Sequence, residues 1–387
     1  VSEQVVEPAR PLLHVRMVLL LTMIVTAMAS FYLLLSVVPL YGSTYGTGVA
    51  GMSTATMMLG TVLVELIAPA VLSRLGPRTS ILIGVGLLGV PALALTITLD
   101  GVAGLVLLLV VCLARGGGLG IVVVAGAALA AELAPAGRRT ESIGLYGLAS
   151  AVPSIVALPL GLWAVPQIGY VTLFIAAAVV AVPALFAAAG LPSTTTTPER
   201  HAGVASALLV GGLARPAIVF AATTLAAGVC VTFLPLAVPA DQRHWAAAGL
   251  FAQSIATPLA RWWAGRYGDR VGAGRLLWPA LIASAVGIAA LCWTGSPVAV
   301  IAGMCVFGIG FGVAQNVTLA LMYERVPREQ YGRASALWNL AFDGGMGLGA
   351  AGFGTVVAFS GYPGAFAITA AAVFAALFPA LLDLRRK

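Results

Sequence analysis

What this sequence has least of is charge. Of its 387 residues only 9% are Asp, Glu, Lys or Arg, where a soluble domain carries about 25%. So few charges cannot cover the surface of a soluble multidomain protein of this length, and that class is excluded. Lysine is rarer still, occurring once, as Lys387. Without an internal lysine there is no Gly-Lys-Ser/Thr phosphate loop and no Schiff-base amine. The three histidines, His14, His201 and His244, lack HExxH-type spacing, and Cys112, Cys230, Cys292 and Cys305 fall in apolar runs with no CxxC pair. No metal site and no cofactor is expected from them, and the cysteines read as buried structural residues. The sequence also lacks G-x-S-x-G and any convergent Ser/His set, so no enzyme chemistry can be assigned.

What fills the chain is apolar. Hydrophobic residues make up 60% of it and the mean hydropathy is +1.04. Runs of roughly 20 apolar residues, each able to cross about 30 Å of hydrocarbon, recur from Met17 to Leu382. A run such as Leu105-Val106-Leu107-Leu108-Leu109-Val110-Val111 does not alternate in polarity, which rules out a transmembrane β-barrel. Runs bounded by Gly, Pro and charge predict twelve spans, numbered here in chain order: 17–40, 48–72, 78–99, 103–131, 140–163, 168–190, 214–236, 245–264, 275–294, 297–322, 334–358 and 363–383. The first is too long for a signal-peptide core and has no obvious cleavage site, so it is expected to stay as span 1.

A net charge of +7 could indicate nucleic acid, but the basic residues sit almost entirely in short loops, and no nucleic-acid partner is expected. They orient the chain instead. With an even number of spans, eighteen of the 20 basic residues fall on the side of the N-terminus, Arg243 alone falls on the other, and Arg115 is left inside span 4. The positive-inside rule then places both termini in the cytoplasm. Scarce lysine with heavy Ala, Gly and Arg use suggests a high-GC genome, so a multi-pass protein of a bacterial cytoplasmic (inner) membrane is expected.

One sizeable polar break, containing Pro192-Ser193-Thr194-Thr195-Thr196-Thr197-Pro198, follows span 6. It divides the chain into residues 1–190, a cytoplasmic linker at 191–213, and residues 214–387, and it is too short for a folded domain. The halves echo each other: Glu132-Leu133-Ala134-Pro135 before span 5 matches Glu324-Arg325-Val326-Pro327 before span 11, and Gly169-Tyr170 matches Gly361-Tyr362, both at an offset of 192. Internal duplication of this kind is a transporter signature.

Between spans 8 and 9 stands Gly265-Arg266-Tyr267-Gly268-Asp269-Arg270-Val271-Gly272, which fits G-x-x-x-D-R-x-G in full. Between spans 2 and 3, Pro69-Ala70-Val71-Leu72-Ser73-Arg74-Leu75-Gly76-Pro77-Arg78 keeps the spacing with two substitutions, Pro69 and Ser73. Small residues allow a tight turn there, and Asp and Arg can pair with each other or with helix dipoles to latch that end of the bundle. Ser73, Arg74, Gly76, Arg78, Gly265, Asp269, Arg270 and Gly272 are the candidate latch. With these motifs the chain resembles the major facilitator superfamily, in particular its twelve-helix drug-efflux and arabinose-efflux-like members, over residues 12–384. The resemblance implies an all-α membrane protein, two pseudo-symmetric six-helix bundles, a central cavity, and alternating access by rocking of the bundles.

In span 4, Arg115-Gly116-Gly117-Gly118-Leu119-Gly120 resembles the R-x-x-x-G-x-G-type motif whose arginine the family associates with proton coupling. An arginine in mid-span costs at least about 2.5 kcal/mol, so it should face a polar cavity or a carboxylate, or be held by carbonyls. Gly144, Gly147, Pro153, Pro159 and Gly161 of span 5 loosely echo an antiporter-specific Gly-Pro motif, and the sugar-porter P-E-S-P-R signature is missing after span 6. Polar faces mark the candidate cavity: Thr54, Met58, Thr61 and Glu65 on span 2; Thr22, Thr26 and Ser30 on span 1; Gln253, Thr257 and Arg261 on span 8; Ser335, Asn339 and Asp343 on span 11; and Asn316 on span 10. Such groups need partners or water inside a bilayer, and a shared aqueous cavity supplies both. Asp343, Glu65 and Arg115 are the candidate proton-coupling residues. The neighbours that the resemblance assigns to spans 2 and 8 argue against a direct Glu65–Arg261 bridge.

The expected function is a monomeric secondary transporter, a proton-coupled antiporter exporting small amphipathic or hydrophobic compounds, its partners being substrate, protons and the lipid bilayer. Proton-coupled uptake of a small metabolite is the alternative, and a non-transporting membrane sensor or intramembrane enzyme a remote one. The topology is checked by single cysteines introduced as Thr196→Cys in the linker and Ala240→Cys between spans 7 and 8. A membrane-impermeant thiol reagent should reach Thr196→Cys only from the cytoplasm and Ala240→Cys only from outside; reversed access at either would overturn the twelve-span topology.

Overall fold

The computed structural model describes residues 12–46, 48–135, 138–193, 212–327 and 330–384, with the side chains of Thr140, Asp269, Val271 and residues 382–384 left aside. Most of the linker, including Thr196, lies outside the described residues, as do the two chain ends. Every regular element among the described residues is helical.

Among the described residues, eight helices are long and apolar enough to cross a membrane. Three of them, Val49–Ala94, Arg139–Ala189 and Tyr331–Ala375, have 46, 51 and 45 residues. At 1.5 Å per residue each would run past about 65 Å, twice the hydrocarbon thickness. Each is in fact two spans joined at one non-helical glycine: Gly76 (φ 75°, ψ 161°), Gly169 (φ 74°, ψ 170°) and Gly361 (φ 65°, ψ 175°). A side chain there would oppose the positive φ that turns the chain. The halves run back alongside each other. Gly60 faces Leu113 and Gly117, and Gly84 faces Gly118, Ile121 and Val122, of the helix Gly101–Glu132 from either side of Gly76. Gly161 packs on the carbonyl of Leu33 while Ser30 Oγ donates to Ala177 O at 2.7 Å, and the rings of Phe353 and Phe366 lie 5.0 Å apart across Gly361.

The helix Arg243–Val271 is less apolar because of its arginines, and it completes twelve spans: 15–42, 49–75, 77–94, 101–132, 139–168, 170–189, 214–237, 243–271, 273–293, 297–323, 331–360 and 362–384. They form two pseudo-symmetric six-helix bundles. The predicted repeat is visible as conformation, since Gly169 and Gly361 adopt nearly the same φ and ψ at the same turn of each half. Two predicted boundaries need correction. The loop motifs are helical almost to their ends, span 2 running through Ser73 and Arg74 and span 8 through Arg270 to Val271, because no left-handed glycine interrupts either helix before Gly76 and Gly272.

Glycines bring the spans close. A Cβ at Gly116 would collide with the Met57 carbonyl of span 2, and one at Gly228 would meet Met346 of span 11. Gly308 and Gly312 lie against Gln253 and Thr257 of span 8, and Gly310 against Ser284 of span 9, so the glycine run of span 10 is a close-packing segment. Cys112 and Cys230 are buried as expected, whereas Cys292 and Cys305 are partly exposed.

Where the bundles meet, span 2 faces span 11 and span 5 faces span 8. The seam is closed at the end away from the arginine-rich turns. There Ser36 Oγ donates to Val231 O at 2.9 Å, Thr232 Oγ1 donates to Thr54 Oγ1 at 2.9 Å, and Gly51 packs against the Ala350 carbonyl and the Phe233 ring. Below this seal the bundles part.

Candidate functional site: a cavity between the bundles

The space between the parted bundles is a cavity of about 780 Å3. Span 2 contributes Met58, Thr61 and Glu65 to its wall, span 8 contributes Gln253, Thr257 and Arg261, and span 11 contributes Asn339 and Asp343, with Asn316 from span 10. These predicted cavity residues are brought together. Their helical spacings put them on one face of each span, and the bundle interface aims those faces at a common space.

Two carboxyls dominate its electrostatics. Glu65 belongs to the first bundle and Asp343 to the second, and both line this one cavity. Asp343 is only 7% exposed, yet neither carboxyl has a hydrogen bond or an ion pair among the described residues. Arg261 does not bridge to Glu65; its Nη1 donates to Gln315 Oε1 at 3.2 Å. The buried amide oxygen of Gln253 has no partner. Much of the rest of the wall is apolar and aromatic, with Tyr32, Ser150, Ser154, Ser254 and Gln315 set into it. Trp338 stacks on Phe220 at 4.4 Å between ring centroids, and its Nε1 donates to Thr318 Oγ1 at 3.1 Å, which fixes the ring that Phe342 and Phe311 extend.

Three expectations fail here. Arg115 does not line the cavity and meets no carboxylate. Its Nη1 donates to Leu88 O, its Nη2 donates to Ser30 O at 3.0 Å, and its Nε is unpartnered. Gly116 and its neighbours draw spans 2 and 3 so close to span 4 that the guanidinium is left a carbonyl-lined gap, and it pins spans 1 and 3 to span 4. Ser30 is fully buried inside the first bundle with its hydroxyl on Ala177 O, and Thr26 Oγ1 donates to Thr22 O at 2.9 Å in its own helix. Both satisfy themselves on carbonyls, the ordinary fate of a hydroxyl in a helix.

Among the described side chains of the candidate latch no ion pair forms. Ser73 Oγ donates to Ala70 O of its own helix at 2.9 Å, Arg74 and Arg270 are exposed, and Arg78 forms no ion pair among the described residues. Gly76 and Gly272 carry the positive φ of the two turns, Gly265 lies beside Asn316, and the Asp269 side chain lies outside the described residues. Sequence reasoning missed the wall from span 5, where Gly144, Gly147, Ala151 and Ser154 line the cavity with Ser150. Their signal was a stripe of small residues at spacings of three and four. It also missed Gln315, whose apolar context in span 10 hid its role as the partner of Arg261.

The sequence matches the family model of the Major Facilitator Superfamily over residues 19–350 and 244–387, and the chain belongs to that superfamily. It is therefore a multi-pass membrane transporter rather than an enzyme. No curated protein matches the sequence. Among solved structures it is similar to the nucleoside transporter NupG, with 13% identity and a TM-score of 0.75 over 94% of this chain and 99% of that one. An inward-open conformation of the xylose transporter XylE from E. coli is similar with 15% identity and a TM-score of 0.75, over 95% and 96% of the two chains. The peptide transporter POT is similar with 14% identity and a TM-score of 0.74, over 95% and 94%. At these identities the likeness is one of fold.

The hydrogen bonds of the seal, each worth about 1 kcal/mol, can be removed without filling space. Ser36→Ala combined with Thr232→Val should raise severalfold the labelling of a Gln253→Cys probe from the sealed side, measured with a membrane-impermeant thiol reagent. Unchanged labelling would mean that the seal rests on the packing of Gly51 against Ala350 and Phe233.

Proposed function

We propose that the protein is a proton-coupled antiporter that exports small amphipathic or hydrophobic compounds from a bacterial cytoplasm. Both termini and the open end of the cavity then face the cytoplasm, as the arginine asymmetry favours. The observation that carries this reading is the pair of unpaired carboxyls, one from each bundle, in a cavity whose remaining wall is largely apolar. For the transporter to turn over, the bundles have to close over this space from the arginine-rich side. Enclosing an ionised carboxylate without a partner costs several kcal/mol, whereas a protonated carboxyl, or one neutralised by a substrate, is enclosed at far less cost. Proton and substrate thus exchange for one another as the permit for closure.

Depth divides the roles. Asp343 lies twelve residues beyond the start of span 11, about 18 Å along the helix, and is the better-buried carboxyl, so it takes the proton-carrying role. Glu65 sits nearer the arginine-rich end and contributes to substrate preference. Arg115 serves coupling only indirectly, by holding the first bundle rigid. The latch residues at the two glycine turns, Asp269 and Arg270 foremost, act when the arginine-rich end closes, and residues 191–213 form the hinge between the bundles.

Proteoliposomes test the assignment. Asp343→Asn should abolish accumulation driven by a pH gradient while substrate exchange without a gradient persists, and Glu65→Gln should alter preference among substrates more than coupling. Uphill transport surviving in Asp343→Asn and lost in Glu65→Gln would exchange the two roles. In cells, collapse of the proton gradient should raise substrate accumulation; a fall would establish uptake instead.

A further inference from the structure

A second cavity, half-open and of about 620 Å3, lies outside the space between the bundles. Its wall comes from the first bundle alone, at the end away from the arginine-rich turns. The end of span 1 and the turn after it supply Tyr41, Thr44 and Tyr45, and the turn before span 4 supplies Thr98, Leu99 and Asp100. One glycine shapes it. A Cβ at Gly104 would collide with the Tyr45 ring and the Leu99 carbonyl, so glycine there lets the ring lie against the start of span 4. Behind the wall, Tyr41 packs on span 6, with its ring centroid 5.2 Å from that of Tyr170 and 5.3 Å from that of Phe174.

Most hydroxyl protons of this wall are already committed. Tyr45 OH donates to Leu99 O at 3.0 Å, which uses its single proton. The 3.0 Å contact between the two phenols is therefore a donation from Tyr41 to Tyr45. Thr44 Oγ1 donates to the Tyr41 carbonyl at 2.7 Å. Since each hydroxyl has one proton but more than one acceptor position, what these three side chains still offer is oxygen lone pairs. Thr98 alone keeps an uncommitted hydroxyl among the described residues of the wall.

Asp100 adds a carboxylate, which only accepts. It occupies the N-cap position of span 4, yet its side chain makes no capping hydrogen bond and has no ion pair among the described residues. The N-terminus of span 4 carries about half a positive charge, which the full negative charge of Asp100 outweighs. No basic side chain lines the cavity among the described residues. A wall of acceptors with net negative charge is complementary to a cation that donates several hydrogen bonds. A primary ammonium answers both demands with three donors on one compact charge.

We infer that this cavity binds the primary ammonium group of a small amine, held by Asp100 and by the phenolic oxygens of Tyr41 and Tyr45. The site is separate from the central cavity and does not depend on the export reading. Its occupant bridges the turns after span 1 and before span 4, so it stiffens that end of the first bundle. A free alkylamine and the ethanolamine head of an aminophospholipid carry the same group.

The test is equilibrium dialysis of radiolabelled butylammonium against the full chain in phosphatidylcholine nanodiscs, whose lipid has no N–H group, with empty nanodiscs subtracted. Tyr41→Phe, which keeps the ring and removes an acceptor, should weaken binding about tenfold, the worth of a hydrogen bond to a charged group. Asp100→Asn should weaken it about fivefold, because the carboxylate is exposed to solvent. Butyltrimethylammonium, of equal charge but without N–H donors, should compete at least about tenfold less well than unlabelled butylammonium. Absence of saturable binding, unchanged binding in both variants, or equal competition by the trimethyl compound would each overturn the site. Butyrate competing as well as butylammonium would also overturn it and point to the N-terminus of span 4. Adding phosphatidylethanolamine to the nanodiscs then identifies the source: weakened butylammonium binding assigns the ammonium site to the lipid head, and unchanged binding assigns it to a free amine.

Discussion

Hydrocarbon offers no hydrogen-bond partner, and this constraint sorts every polar group in the chain. The ones that find protein partners become structure. Arg115 spends its guanidinium on the carbonyls of Leu88 and Ser30, Ser30 gives its hydroxyl to Ala177, and Thr61 bridges to the Gly116 carbonyl at 3.1 Å while still edging the cavity. The ones that find none must be served by water or by ligand. Glu65, Asp343 and the amide oxygen of Gln253 are the part of that remainder that borders the cavity, while Ser284 Oγ and the Nε atoms of Arg115 and Arg243 also lack a protein partner among the described residues.

The same constraint explains how the two bundles can separate. Within a bundle, glycines such as Gly116, Gly228 and Gly312 lock spans together through contacts that leave no room for a Cβ. Among the described residues, two side-chain hydrogen bonds cross between the bundles. Two hydroxyl hydrogen bonds and the Gly51 packing close one end, and at the other end the turns at Gly76 and Gly272 leave Arg74 and Arg270 exposed. Two bodies, each packed tightly within itself and joined at one closed end, are the arrangement that rocking requires.

Much of this was legible in the sequence because bilayer physics writes itself into composition. Span count, the repeat at Gly169 and Gly361, and the cavity faces of spans 2, 8 and 11 all followed from apolar length, spacing and isolated polar residues. What was not legible depended on which of two solutions a buried polar group takes. Nothing in the local sequence distinguishes Arg115, which finds carbonyls, from Arg261, which reaches the cavity and Gln315; the difference is set by the approach of spans 3 and 4. Thr26 and Ser30 misled for the same reason, since a polar face at helical spacing can point into a bundle as readily as into a cavity. Span 5 escaped notice because its cavity face is built from small apolar residues, and small residues in a membrane helix ordinarily signal packing.

The central claim, resting on the proposed export function, is that one site in this cavity exchanges a proton for substrate. Proton release on binding tests it without any transport step. The purified protein in weakly buffered solution with a pH indicator should release on the order of one proton per bound molecule of an amphipathic probe, decyltrimethylammonium, at a pH between about 5 and 9, and the release should vanish in the variant Asp343→Asn combined with Glu65→Gln. Saturable binding with no proton released at any pH between about 5 and 9 would contradict the account.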